Sequence, residues 1–242
     1  MRGLFPAALA HVFTALGVIP AFLALIDAMN GVHERAFIWL GVALIIDGLD
    51  GPLARRLAVK QRAPRFCGER LDLIIDYITY VVVPAVMIHQ SELVPEGLRT
   101  AAACLALLSA LYHFSDTASK TSDDFFVGFP AVWNLVVFYL FCFPIGQGAA
   151  LAVIVICAAL TFTPLVFVHP VRVTALRPLT FAVMAAWAAA AVATVANGFP
   201  AEGLAQIGLA AGALYALGVG FARSAGRLTR ETAPGKDARP QR

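Results

Sequence analysis

Charge is what this sequence has least of. Only 14% of its 242 residues are Asp, Glu, Lys or Arg, where a soluble domain carries about 25%. With 60% hydrophobic residues and a mean hydropathy of +0.79, that shortage excludes an ordinary soluble domain and points to a polytopic membrane protein. Cysteine is scarce as well. Cys67, Cys104, Cys142 and Cys157 show neither metal-binding nor redox spacing, and three of them fall in apolar runs, so they read as packing thiols. The N-terminal stretch lacks a small-residue cleavage site ahead of a soluble domain and reads as a retained first span. His11, His33 and His89 are isolated, and His113 has no partner spacing, so the histidines read as packing or loop residues rather than ligands.

What is abundant is apolar sequence in spanning lengths. After the first span, further runs lie near residues 36–54, 69–89, 98–115, 128–144, 149–168, 174–196 and 203–222. The expectation is therefore an all-α bundle of eight transmembrane helices in one domain, 1–222, followed by a basic, disordered tail, 223–242, beside anionic headgroups. If both termini are cytoplasmic, sixteen of the eighteen Lys and Arg residues lie inside and only Arg35 and Arg99 outside. The outside turns NGVHER, SELVPEGLR, PIGQGAA and NGFPAEG are short and rich in Gly and Pro. A multi-pass protein of the cytoplasmic membrane follows, with no nucleic-acid partner.

Against this background four carboxylates stand out. Asp47 and Asp50 close the run AFIWLGVALII, while Asp72 and Asp76 open LIIDYITYVVVPAVMI. Ionised groups beside hydrocarbon are expensive and mark function by default. Helical spacing puts Asp47, Asp50, Gly51 and Ala54 on one stripe and Asp72 and Asp76 on another, so two helix ends can converge four acids. Their mutual repulsion calls for a cation, and an oxygen-only donor set suits a hard one, Mg²⁺ or Mn²⁺. Gly51, Ala54 and Gly68 allow a ligand close to the backbone, and Arg55 offers a planar fork for phosphate oxygens. Metal, Arg and a small-residue floor together suit a pyrophosphate.

These residues match, in order, D-x-x-D-G-x-x-A-R followed by G-x-x-x-D-x-x-x-D, and on them the chain resembles the CDP-alcohol phosphotransferases. One departure is the twelve residues Arg56 to Cys67 between Arg55 and Gly68, more than most of the family has. That longer gap, with IDGLDGPLARRLAVK and LDLIIDYITYVVVPA, is most similar to the bacterial phosphatidylcholine synthases within the family. The resemblance implies that Asp47, Asp50, Asp72 and Asp76 hold a divalent pair and that Gly51, Ala54, Arg55 and Gly68 shape a CDP site. It implies Asp76 as the base, CDP-diacylglycerol and choline as substrates, and a homodimer. Serine is the second acceptor to consider, and a cation- or proton-coupled transporter is the reading from another class. Against the transporter, the acids cluster at one membrane end and no inverted repeat is visible.

Two further clusters face the same side. Tyr112, Asp116, Phe129, Trp133 and Asn134, with Tyr80 one turn beyond Asp76, are candidates for gripping a quaternary ammonium by aromatic faces and a counter-charge. FVGFP within this cluster is similar to the Gly-Pro turn of related phosphatidylserine synthases. The plainer alternative is an interfacial aromatic belt. Arg172 and Arg177 are candidates for the lipid phosphate, or else topogenic charge with snorkelling stems. Gly208 and Gly212 have the GxxxG spacing of close helix contact, read as packing within one chain rather than a dimer seam.

Overall fold

The computed structural model describes residues 4–62, 65–119, 126–167 and 177–231. The first span is α1 (Leu4–Leu16) and α2 (Val18–Met29), meeting at Gly17; α3 is His33–Arg56 and carries Pro52 near its end. A short α4 (Val59–Arg62) precedes α5 (Gly68–Tyr77), a π-helical turn (Ile78–Val82) and α6 (Val83–Gln90), which together make one rod. Then come α7 (Arg99–Ser115), α8 (Trp133–Cys142), α9 (Gln147–Leu160), α10 (Arg177–Asn197) and α11 (Gly203–Glu231).

The outer faces are apolar. Phe22, Ile45, Leu108, Leu214 and Phe221 are all exposed, which only a lipid surround makes favourable. Inside, small residues let the rods approach: Ala21, Ala24, Ala28 and Ala36 are wholly buried, beside larger plugs at Met87, Ile88, Trp133 and Ile154. Six of the rods are long and apolar enough to cross a membrane.

The other two rods, α8 and α9, are shorter than the sequence implied, at 10 and 14 residues. Residues 126–132 are a two-residue strand followed by bends instead of helix. Phe126–Val127 (β1) pairs antiparallel with Val166–Phe167 (β2), and the Gly128 N–H donates to the Leu165 carbonyl at 2.8 Å. Gly128 has φ +78°, and a Cβ there would collide with the Thr161 carbonyl, so the FVGFP turn requires glycine at this place. At this same C-terminal end of α9, Thr161 and Thr163 turn their hydroxyls back onto the Cys157 and Leu160 carbonyls, and Pro164 follows. The last helix differs in the opposite sense. It continues to Glu231, beyond the tail boundary expected at 222: RSAGRLTRE has no proline to stop the helix, which carries Gly226 in its interior.

Gly208 and Gly212 pack α11 onto α10 of the same chain. A Cβ at Gly212 would lie 2.7 Å from Trp187 Cδ1, and one at Gly208 would lie 3.0 Å from Ala190 Cβ. A hydrogen-bonded relay fastens this corner to α8, with Trp187 Nε1–H donating to Tyr139 Oη at 2.9 Å and Tyr139 donating to the Leu209 carbonyl at 2.8 Å. At the end carrying the α2–α3 turn, Arg35 pairs through both Nε and Nη2 with Asp27, which is only 3% exposed. One of the two cations expected outside therefore has a structural partner.

Candidate active site

The signature residues occupy the last turns of α3 and the first turns of α5. Pro52 lacks an N–H and so loosens the α3 ladder just past Asp50; Ala58, at φ +48°, then turns the chain sharply. Within the twelve residues between Arg55 and Gly68, Val59–Arg62 fold back as α4, and Val59 is buried with Ala10 of α1 in a small second core also touched by Leu53, Ala54 and Leu57. This described part is a wall of the site.

Three carboxylates converge there. Asp47, Asp50 and Asp72 each present an oxygen, and these oxygens lie within 4.8 Å of one another. Asp50 is buried, with the Thr14 hydroxyl of α1 beside it. Asp47 accepts a 2.7 Å hydrogen bond from the Tyr80 hydroxyl. The Tyr80 ring reaches Asp47 from the π-helical turn, where Thr79 bonds back to the Ile75 and Asp76 carbonyls at 3.1 and 3.3 Å. Such one-turn π segments are frequent at functional sites because they re-aim side chains. Asp76, one turn beyond Asp72, stands outside the group of three among the described residues, close enough to Tyr80 to act on it electrostatically.

The carboxylates open into a cavity of about 720 Å³ lined by the signature residues Asp50, Gly51, Ala54, Arg55, Gly68 and Asp72. The Arg55 guanidinium lies over Gly51, so that a Cβ at 51 would touch its Nη1 at 3.4 Å. Lys60 and Glu69 form an exposed 3.5 Å ion pair at the rim. Close carboxylate oxygens with no nitrogen or sulfur donor among them fit a hard divalent cation, and the cluster could hold one. The cavity has the dimensions of a nucleotide or drug-sized ligand site.

The aromatic candidates are not gathered in the same way. Tyr80 is the candidate seen to bond to a carboxylate of the cluster, Asp47, among the described residues. Trp133 is 1% exposed inside the main core, edge-on to Phe129 at 6.1 Å, and Phe129 is edge-on to Phe167 at 5.6 Å. Tyr112 is 52% exposed and lies against Phe162. Asp116 accepts the Ala118 N–H at 2.8 Å, and Asn134 Oδ1 accepts the Leu135 N–H at 2.9 Å, so both serve local turns. Arg172 lies outside the described residues, and Arg177 is seen only as the first residue of α10. Sequence reasoning missed the α1 wall. His11 and Thr14 both line the cavity, and their i, i+3 spacing on an apolar helix was the signal.

A multi-pass helical protein with carboxylates converging at one helix junction over a small-residue floor defines a class of membrane transferase, and the comparison with known proteins agrees. Residues 6–165 match the CDP-alcohol phosphatidyltransferases, and the chain belongs to that family. It is 45% identical over 201 residues to phosphatidylcholine synthase of Mesorhizobium japonicum, covering 83% of this chain and 72% of that protein. It is 40% identical over 210 residues to phosphatidylcholine synthase of Brucella melitensis, covering 87% and 76%. With phosphatidylcholine synthase of Pseudomonas aeruginosa it shares 43% over 177 residues, 73% of this chain and 74% of that protein.

Proposed function

We propose that this protein transfers the phosphatidyl group of CDP-diacylglycerol to choline, producing phosphatidylcholine and CMP. The observation that carries the proposal is the convergence of Asp47, Asp50 and Asp72 over the Gly51, Ala54 and Gly68 floor, in a chain whose relatives are named for this reaction. Asp47, Asp50 and Asp72, with Asp76 one turn on, would hold Mn²⁺ or Mg²⁺. A metal held by these residues would supply positive charge for the pyrophosphate and for the CMP leaving group.

The remaining work falls to the chain's own groups. Arg55 binds phosphate oxygens at the cavity wall, and the small floor lets the nucleotide lie against the backbone. The choline hydroxyl oxygen attacks the phosphorus that bears the diacylglycerol, the bond from that phosphorus to the CMP oxygen breaks, and the choline proton passes to the Asp76 carboxylate. Tyr80 fixes Asp47 and offers an aromatic face close to the reacting centre; choline is read by aromatic faces because its ammonium has no N–H to donate. The site works on the cytoplasmic side of the inner membrane, where the Lys and Arg bias puts the signature and where a cytidine nucleotide is met. The homodimer implied by the family resemblance uses a surface other than the Gly208–Gly212 seam, which α10 covers.

The test is an acceptor panel with labelled CDP-diacylglycerol and purified full-length protein. Choline-dependent release of CMP, stopped by chelation and restored by Mn²⁺ or Mg²⁺, is expected. Turnover of serine without choline would move the assignment to a serine acceptor, and ion-gradient-driven flux with no CMP release would replace it by transport.

A further inference from the structure

The cavity has a third wall that no signature residue explains. α1 packs against both α3 and α5, and its placement is firm because Ala10 is buried with Val59 of the insert. Thr14 lies beside Asp50, at the level of the carboxylate cluster. His11, three residues earlier, lies flush on Gly68, where a Cβ would come within 3.2 Å of its Cε1. Helix rise puts His11 about 4.5 Å from the level of Thr14, and Gly68 and Ala54 each about 6 Å from Asp72 and Asp50 along their own helices. The cavity is therefore layered, with carboxylates and Thr14 in one layer, and His11, Gly68 and Ala54 in the next.

A second observation singles out the imidazole. His11 Nε2 is buried and has no hydrogen-bond partner among the described residues. A buried polar atom left unpaired costs about 1–3 kcal/mol, which a ligand that pairs with it returns. Phe66, also at the cavity wall, lies beside the imidazole with ring centroids 6.2 Å apart and is 67% exposed rather than packed in the core.

Resting on the CDP-diacylglycerol reading above, we propose that His11 is the residue that reads the cytosine base. With the pyrophosphate in the carboxylate layer, the nucleoside occupies the layer of His11, Gly68 and Ala54, whose small residues leave room for a planar ring. The base presents its Watson–Crick edge to Nε2. The imidazole then separates cytosine from uracil through Nε2: an Nε2–H donates to cytosine N3, where uracil carries an N–H, and a bare Nε2 accepts from the exocyclic amine, where uracil carries a carbonyl. A site built around one such bond rejects the analogue that leaves it unpaired.

The experiment measures binding of CMP and of UMP, each with Mn²⁺, to the full-length protein in lipid nanodiscs, for wild type, His11→Phe and His11→Gln. Wild type is expected to prefer CMP. His11→Phe, which fills the space without a polar atom, should weaken CMP about tenfold and UMP little, collapsing the preference. His11→Gln, which keeps a donor and an acceptor, should restore part of it and stands in if the Phe variant does not fold. Unaltered Mn²⁺ affinity and choline KM in both variants would show that the carboxylate layer is intact. Equal weakening toward CMP and UMP, or an undiminished preference, overturns the assignment of His11 while leaving the transferase reading standing. A wild type that releases CMP from CDP-diacylglycerol without preferring CMP over UMP overturns it as well, whereas one that neither binds CMP nor releases it removes both readings together.

Discussion

Among the described residues two places in this bundle hold buried carboxylate, and they resolve its cost in opposite ways. Asp27, near the end of α2, is closed off by both guanidinium nitrogens of Arg35 eight residues later, so its charge is answered inside the protein. Asp47, Asp50 and Asp72 are drawn together within 4.8 Å, and around them stand a phenol, a hydroxyl and an open cavity. Like charges at that separation repel in a medium of reduced dielectric, so the arrangement is one that could hold a cation. A buried acid tied to its own guanidinium is a staple, while carboxylates gathered around one point beside an open cavity are a candidate metal site.

The sharpest break of that comparison is at the cluster. Asp76→Asn, in protein that folds and inserts normally, should abolish CMP release, a loss beyond the 10²- to 10⁴-fold of general-base removal alone. Wild-type turnover in that variant would remove the mechanism. Next in size, Tyr80→Phe deletes the donor to Asp47 and should weaken Mn²⁺ binding roughly 10- to 100-fold, the usual cost of losing a group that orients a metal ligand. Mn²⁺ titration by electron paramagnetic resonance reads this directly, and an unchanged affinity would assign Tyr80 to choline alone. Trp133→Ala is the third. If its indole is a choline face, KM for choline rises about tenfold with CDP-diacylglycerol unaffected; if its place in the core is all it does, melting temperature falls and both KM values stay. At the closed pair, Asp27→Asn should cost about 2 kcal/mol of stability, the scale of a hydrogen bond to a charged group, and leave turnover per folded molecule unchanged. Loss of catalysis there would erase the distinction between staple and site.

Much of this was legible before any coordinates. Apolar runs located the rods because a spanning helix must be continuous and apolar, and the acids were visible because ionised groups are rare beside hydrocarbon. The signature spacing found the α3 and α5 halves of the cavity because helical periodicity assigns residues of one segment to one face. The ends of α8 and α9 were less legible. Their limits come from the β1–β2 pairing and from Gly128 against the Thr161 carbonyl, contacts between segments more than thirty residues apart.

The sequence by itself determined the membrane class, the family signature and the small-residue contact of α10 with α11, since each depends on composition or on neighbours within a helix or two. Only the tertiary structure decided which side chains complete the site. The sequence placed Tyr80 one turn from Asp76, and it took a π-helical turn and the packing of two rods to bring its hydroxyl to Asp47, 33 residues away. His11 looked isolated because its surroundings, Gly68 and Phe66, are brought to it by a fold-back that periodicity cannot express. Face and spacing are properties of one helix and can be read along a chain, whereas a cavity is a property of several helices and exists only once they have packed.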